Sequence, residues 1–348
     1  MPTKRIIITY TAALIVGFVF VTAHFPLPWI LGPVTGLMLL KLFAGYETSV
    51  VFPARDIGFT MLGVQIGLTF TAQTFKIVVP YLLPYTFLSL LLISISLFLA
   101  YLIAKKTAID LTTSMIGSAP GGLSAMIAVS ETLKGNTVLV TIFHTIRLLS
   151  VLFIIPFIAT HFLSGPGSSI VELNNHNEQG PIWTIAVYIL AFSLGYRFRG
   201  SLPASFVIIP MLIVGFLQAL GFPLFNFPDA IFITAQLIIG VHLGNSISIR
   251  DLILAGKYCS LYFGLSIIVI TIGVVFGWTL TYWTGMDFTT AVLSLAPGGL
   301  VEMSLTATQT GGQPSLVSSL QMIRLLFIVM VLPLVFQKVI PRLKKQEL

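Results

Sequence analysis

The sequence predicts an all-α polytopic membrane protein made of two inverted repeats. Each repeat would hold about five transmembrane helices plus one segment interrupted by Pro-Gly-Gly. Three observations predict it. First, 56% of the 348 residues are hydrophobic and only 8% are charged, where a soluble domain carries about 25% charged residues. Second, Ala119-Pro120-Gly121-Gly122-Leu123 recurs as Ala296-Pro297-Gly298-Gly299-Leu300. Third, the basic residues gather in a subset of the connecting loops, as the positive-inside rule expects. This composition excludes a globular cytosolic enzyme and a disordered chain. With Cys259 as the one cysteine, it also excludes a disulfide scaffold. The net charge of +7, from 18 Lys+Arg against 11 Asp+Glu, reads as basic cytoplasmic loops rather than a nucleic-acid surface.

The repeat has a constant offset of 177 residues, found by self-comparison. It carries Pro33 to Pro210, and Gly63, Val64 and Gly67 to Gly240, Val241 and Gly244. It carries Asp110, Thr112 and Thr113 to Asp287, Thr289 and Thr290, Met126 to Met303, and Gly135 to Gly312. It carries Ile146-Arg147-Leu148-Leu149 to Ile323-Arg324-Leu325-Leu326, and Pro156 to Pro333. Shared apolar residues mean little in so apolar a chain, but a gapless set of shared Arg, Asp, Pro and Gly does. The expected organisation is repeat 1 over 1–163, an extracytoplasmic linker over 164–181 and repeat 2 over 182–348. The linker is polar, rich in Gly and Asn, and free of Lys and Arg.

Element by element, the first apolar stretch, Ile6 to Ala23, follows Lys4 and Arg5 and so has the outline of a signal peptide. Its length suits a bilayer span of about 17–25 residues. Its counterpart at Trp183 to Gly200 is internal, where no signal peptide can sit, so both are read as membrane helices. Further apolar segments run over 28–45, 57–72, 78–104, 110–131 and 136–161. In the second half they run over 182–196, 203–221, 229–247, 255–282, 287–308 and 314–337. The fifth of each half contains Ala-Pro-Gly-Gly. Proline lacks an N–H and glycine weakens a helix, so neither fifth segment is a straight helix.

Charge sets the expected topology. If the fifth segment dips in and returns, each half makes five full crossings and the halves run in opposite directions. With the N-terminus inside, 15 of the 18 basic residues then face the cytoplasm. Only Lys76 lies outside, and Arg147 and Arg324 lie within helices. A second arrangement stays open, in which the fifth segment is a broken crossing helix and a short one, such as 57–72, does not cross. Both give inverted repeats, an architecture typical of secondary transporters.

Irregular backbone at membrane depth survives only inside protein or beside a wet cavity. Half-helix N-termini attract anions and C-terminal carbonyls attract cations. Pro120, Gly121, Gly122, Pro297, Gly298 and Gly299 would therefore let a substrate approach bare backbone, with Ser124 just beyond the first break. The plainer reading is that these residues only kink helices for packing. Arg147 and Arg324 sit midway along apolar helices, where a charge costs on the order of 2.5–3.5 kcal/mol on insertion scales. They would bind an anion bidentately, or cap carbonyls of the breaks, or both. His144 and Gln321 lie three residues before them, on the same helical face, and are expected to take part in ion coupling.

Glu302 is the one acidic residue deep in an apolar segment, and Ala125 stands at its repeat position. It would pair with Arg324, carry a proton, or join Ser304 and Thr306 in binding sodium. His242, with Gln65 as counterpart, lies among glycines and reads as a buried, hydrogen-bonded side chain. His24, His161 and His176 read as loop residues.

These residues carry a resemblance. Two gapless copies, each with Ala-Pro-Gly-Gly-Leu followed by an Arg-bearing helix, resemble the bacterial AbrB-duplication membrane family over essentially the whole chain. Pro28-Trp29-Ile30-Leu31-Gly32-Pro33 matches its pattern, while Ile209 stands where the second copy would repeat Gly32. Family members carry the labels AbrB family transcriptional regulator or ammonia monooxygenase. The family is similar to inverted-repeat cation/proton antiporters and anion transporters with crossed, interrupted helices. That similarity implies a scaffold domain and a core domain carrying the breaks. The inherited labels fit the residues poorly. No loop is long enough for a soluble DNA-reading module, the five histidines show no metal-ligand spacing, and no phosphate-binding loop is present.

The expected function is secondary active transport of a small anionic, carboxylate-type metabolite. H⁺ or Na⁺ would be the coupling ion, with no other cofactor, no catalytic or metal residues and no enzymatic activity. The expected surroundings are the lipid bilayer of the bacterial inner membrane, both termini cytoplasmic, with no nucleic-acid partner and a homodimer as one open assembly. A passive channel, or a membrane-integral regulator or enzyme, are the competing readings.

Overall fold

The computed structural model describes residues 2–121, 123–163 and 180–346. For 2, 3, 52, 123–125 and 344–346 it describes the backbone only. Most of the 164–181 linker, with His176, thus lies outside the described residues, as does Gly122. The described residues hold helices and no strand. In chain order these are α1 (Pro2–Thr22), α2 (Pro28–Ala44), α3 (Phe52–Gly67), α4 (Ala72–Lys106), α5 (Leu111–Ser118), α6 (Leu123–Thr132) and α7 (Thr137–Ile158). There follow α8 (Ile185–Arg197), α9 (Ser205–Ala219), α10 (Asp229–Ser246), α11 (Ile249–Ala255) and α12 (Lys257–Thr284). The last are α13 (Phe288–Leu295), α14 (Leu300–Thr310) and α15 (Pro314–Gln346). A π-helical turn, Ala159–Leu163, continues α7, so His161 is helical rather than in a loop, its ring stacked on Phe157.

Among the described residues, α1, α4, α7, α12 and α15 are long and apolar enough to cross a membrane, and α10 with α11 makes a sixth span if the pair counts as one. Their outward faces are apolar: Leu83 is 82% exposed and Phe18 58%. Water would not tolerate so many such faces on a monomer. The protein is a polytopic α-helical membrane protein.

The fifth segments break for the same local reason twice. The Asp110 carboxylate accepts from Thr113 N at 3.3 Å and that of Asp287 from Thr290 N at 2.9 Å, capping the N-termini of α5 and α13. The shared Asp and Thr residues are therefore helix starts. At the far end Ala119 and Ala296 are extended, with ψ of 128° and 132°. A residue before proline is driven out of the helical region, and Pro120 and Pro297 have no N–H to continue the ladder.

The chain forms two compact units. One comprises Met1–Val79, Pro156–Ile249 and Leu300–Ser318; the other comprises Pro80–Ile155, Arg250–Gly299 and Ser319–Leu348. Each unit draws on both halves of the sequence.

In the first unit glycines set the helix crossings. A Cβ on Gly63 would stand 2.5 Å from Val207 O, and one on Gly67 2.9 Å from Met211 O, so α3 lies directly on α9. A Cβ on Gly240 would stand 2.7 Å from Ile30 O, and one on Gly244 3.1 Å from the Val34 Cα, so α10 lies on α2 in the same way. The offset of 177 relates Gly63 to Gly240, Ile30 to Val207 and Val34 to Met211. One crossing is thus made twice, with partners exchanged between the halves. A Cβ on Gly32 would meet the Gly17 backbone at 2.6 Å, a close approach that Ile209 could not repeat in the second half. Lys41 Nζ donates to the carbonyls of Gly244, Asn245 and Ile247 at 2.6–3.0 Å, satisfying the C-terminal end of α10.

In the second unit the halves also interlock. Ile328, Leu332, Phe336 and Ile340 of α15 pack with Met115, Ile116 and Met126 of α5 and α6. Tyr262, Leu265 and Val269 of α12 pack with Leu92 of α4 and with Phe143 and Ile146 of α7.

Candidate anion site at the two helix breaks

A helix that stops inside a membrane leaves carbonyls without partners. In the second unit, two arginines meet them. Arg324 Nη1 donates to Leu295 O at 3.2 Å and Ala296 O at 2.7 Å. Its Nη2 donates to Gly298 O at 3.1 Å and to the Gln321 side-chain oxygen. Gln321 Nε2 adds bonds to Leu293 O at 2.8 Å and Ala296 O at 3.2 Å. The C-terminus of α13 is therefore clamped from α15. A guanidinium at the negative end of a helix dipole is electrostatically favoured as well. Arg324 bonds to backbone and to Gln321 rather than to a carboxylate.

The first break is held more lightly. Arg147 Nη1 donates to Ala119 O, and His144 Nε2 lies 2.8 Å from Gly121 O. Arg147 Nε is buried and has no hydrogen-bond partner among the described residues. Histidine at 144 reaches one carbonyl, where glutamine at 321 reaches two and also orients its arginine.

Both arginines line one cavity. Its walls are Ser89, Leu92, Ile93 and Ser96 of α4, Gly117, Ser118 and Pro120 at the first break, and Phe143 and Arg147 of α7. Tyr262, Leu265, Ser266 and Val269 of α12, Pro297 and Arg324 complete them. No Asp or Glu is among these residues. Four pairs in the wall stand 177 residues apart: Ser89 and Ser266, Leu92 and Val269, Pro120 and Pro297, Arg147 and Arg324. The lining thus repeats itself across the two halves.

Of the residues singled out from sequence, Pro120, Arg147, Pro297 and Arg324 meet in this wall, with His144 and Gln321 behind them. The carbonyls of Gly121 and Gly298 are occupied by His144 and Arg324, and Gly299 is not in the wall. The Ser124 side chain lies outside the described residues. Glu302, Ser304 and Thr306 belong to α14, in the first unit. Ser304 and Thr306 donate to carbonyls of their own helix, Leu300 O and Glu302 O, each at 2.7 Å. Glu302 is half-buried in the first turn of α14, where the helix dipole favours a carboxylate. His242, read from sequence as a buried, hydrogen-bonded side chain, is half-buried, and its Nδ1 has no hydrogen-bond partner among the described residues.

Sequence reasoning misses the aromatic and hydroxyl wall. Tyr262 stacks on Phe143 with ring centroids 3.5 Å apart and donates to Ser114 Oγ at 2.6 Å. Its counterpart Tyr85 donates to Ser294 O at 3.2 Å. The signal is present: the offset aligns Tyr85 and Ser89 with Tyr262 and Ser266, the same Tyr-x-x-x-Ser in both halves.

Fold and cavity define a helical membrane protein with two interrupted helices converging, each braced by a buried arginine, on a cationic crevice. The chain belongs to the AbrB family: the family model described as Transition state regulatory protein AbrB matches residues 6–340. It is similar to a protein of Escherichia coli K12 named "Putative regulator AbrB", 24% identical over 342 residues, covering 96% of each chain. It is also similar to a Bacillus subtilis 168 protein named "Uncharacterized protein YhjN", 24% identical over 299 residues, covering 80% of this chain and 76% of the relative.

Proposed function

We propose that the protein is a secondary active transporter of a small carboxylate-type anion. The observation that carries this reading is the cavity wall itself: among the described residues it has two guanidinium groups, no carboxylate, and two half-helix ends. A cationic, half-apolar crevice in a membrane protein needs an anion to balance it. The halves of the chain are read as inverted repeats of about five crossings. The glycine crossings and cavity pairs that recur at one offset support this. Such a pair of repeats can rock around a fixed site and expose it to either side in turn. Glu302, ionisable and in the first turn of a half-helix, is the proposed coupling group for H⁺ or Na⁺. The protein resides in a bacterial cytoplasmic membrane with both termini inside and needs no other cofactor.

The test is uptake into proteoliposomes under imposed pH and sodium gradients, scanned over carboxylates, phosphates and sulfonates. Saturable flux that follows one gradient and is lost in a folded Arg147→Ala protein is expected. Flux that ignores gradients and never saturates would indicate a channel. The absence of movement of any solute would remove the proposal.

A further inference from the structure

Three cations of the first unit are spent within it. Arg5 pairs with Glu47, Arg55 pairs with Asp56, and Lys41 is bound to three carbonyls. The second unit differs. Apart from Arg147 and Arg324, its basic residues lie at helix ends and in loops. Lys106, Lys134, Arg250, Lys257, Lys338 and Arg342 are exposed there. Among the described residues none of the six forms an ion pair.

Packing brings these cations to one end of the unit. Tyr262 donates to Ser114 Oγ, which donates to Ala100 O near the end of α4. Farther along α12, a Cβ on Gly273 would stand 3.8 Å from Leu92 Cδ2. So α12 runs antiparallel to α4, and Lys257 at its start lies by the end of α4. Tyr101 and Ala104 of α4 pack in one cluster with Ile340 and Leu343 of α15 and with Leu133 of α6. The opposite end, at Pro80 and Thr284, carries no Lys or Arg. Asp110, Glu131 and Asp251 are the acidic residues near the basic end, and Asp110 is engaged in capping α5.

Beside these charges lies an apolar stripe. Leu91, Phe98 and Leu102 are exposed on α4 at spacings of seven and four, one helical face, and Lys106 continues that face four residues on. On α15, exposed Leu334 precedes Lys338 by four in the same way. Leu91 to Leu102 covers about 16 Å at 1.5 Å per residue. One leaflet's share of a hydrocarbon core about 30 Å thick is close to that depth. The stripe therefore fits an acyl chain, and Lys106 above it reaches the level of the headgroup.

We infer that this end of the second unit holds an anionic phospholipid. Its phosphate lies among Lys106, Lys257, Lys338 and Arg342, and an acyl chain lies along Leu91, Phe98 and Leu102. A zwitterionic headgroup brings its own cation and leaves these four unbalanced; an anionic one neutralises them. The inference rests on the membrane class of the protein and is independent of the transporter reading.

The experiment titrates the purified full-length protein in neutral detergent with phosphatidylglycerol, with phosphatidylcholine of the same chains, and with inorganic phosphate. Native mass spectra count the retained lipid, and thermal melts read stabilisation. Phosphatidylglycerol is expected to be retained and to stabilise, less so as salt is raised. Lys106→Gln, Lys338→Gln and Arg342→Gln should each weaken it about fivefold, the fold-change of about 1 kcal/mol per Lys or Arg. Lipid-free melts of these exposed-site variants check that they fold. The paired control Lys4→Gln and Arg197→Gln, at exposed cations of the first unit, should leave the affinity unchanged. Equal retention of phosphatidylcholine, or displacement by equimolar inorganic phosphate, overturns the inference. So does a loss in the control as large as in the three variants, or phosphatidylglycerol binding that raised salt leaves untouched.

Discussion

Arg147 and Arg324 stand at equivalent positions of the two halves and face one cavity. Among the described residues Arg324 carries four hydrogen bonds and Arg147 one, with its Nε buried and unpartnered. The difference lies in their neighbours three residues earlier. Gln321 both accepts from Arg324 and donates to the broken helix, which fixes the guanidinium against α13. His144 reaches Gly121 O and leaves Arg147 to itself. Both arginines brace a break, Arg324 through four hydrogen bonds and Arg147 through one.

The asymmetry predicts opposite consequences for the same substitution. Arg324→Met takes away the donor to Leu295 O and Gly298 O, each an acceptor whose loss of partner costs about 1–3 kcal/mol, and leaves Ala296 O with Gln321 Nε2 alone. Arg147→Met strands one, Ala119 O, and relieves a bare buried Nε. Thermal melts in detergent are expected to show a clear loss of stability for Arg324→Met and a small change for Arg147→Met. Ligand-induced stabilisation should vanish in Arg147→Met. Equal melts for the two variants would contradict the distinct roles.

Much of this is legible in the amino-acid sequence. In a chain with so few charges, a lone Arg, Asp or Pro recurring at one offset stands out. The membrane-protein class, the two breaks and the two arginines follow from that contrast. Tyr262, Ser89 and Ser266 stay hidden because single Tyr and Ser residues are ordinary in apolar helices, and only their placement in a shared wall gives them meaning. The unequal loading of the arginines is beyond sequence too. His144 and Gln321 are visible as neighbours, but which carbonyls each reaches depends on the path of the broken backbone. Likewise the glycines at 63, 67, 240 and 244 announce close packing without naming the partner. The partner lies in the other half of the chain each time.

Those glycines give a second prediction. A methyl at position 63 or 240 meets backbone carbonyl oxygen at 2.5 or 2.7 Å, where no side-chain rotation can relieve it. Gly63→Ala and Gly240→Ala should each cost about 1–3 kcal/mol through overpacking. Gly264 is the control, since nothing lies within 4 Å of its added Cβ on α12. Gly264→Ala should be neutral or stabilise by about 0.5–1 kcal/mol from helix propensity alone. Melting temperatures of the three purified variants would separate a crossing effect from a general intolerance of alanine.

The Phe143–Tyr262 stack gives a third. The ring planes lie within 6° of parallel, in the wall of the cavity. Tyr262→Phe keeps the stack and loses the bond to Ser114 Oγ, for about 1 kcal/mol. A double-mutant cycle with Phe143→Leu and Tyr262→Leu should return a coupling of about 0.5–1.5 kcal/mol between the rings. A coupling near zero would mean that the stack contributes area but no specific geometry.

The proposed inversion of the halves makes a topological prediction that needs no ligand. If both termini are inside, the loop from Arg197 to Leu202 faces the cytoplasm and the loop between α9 and α10 faces out. The first carries Arg197 and Arg199, while the second, 220–228, carries no basic residue. Arg199 and Ala230, at the edges of these loops, are exposed. With Cys259 replaced by serine, a membrane-impermeant thiol reagent should label Ala230→Cys in intact cells, and Arg199→Cys only after the membrane is opened. Labelling of Arg199→Cys from outside would turn the second half over. The halves would then run the same way, and two half-helices could no longer enter one site from opposite faces of the membrane.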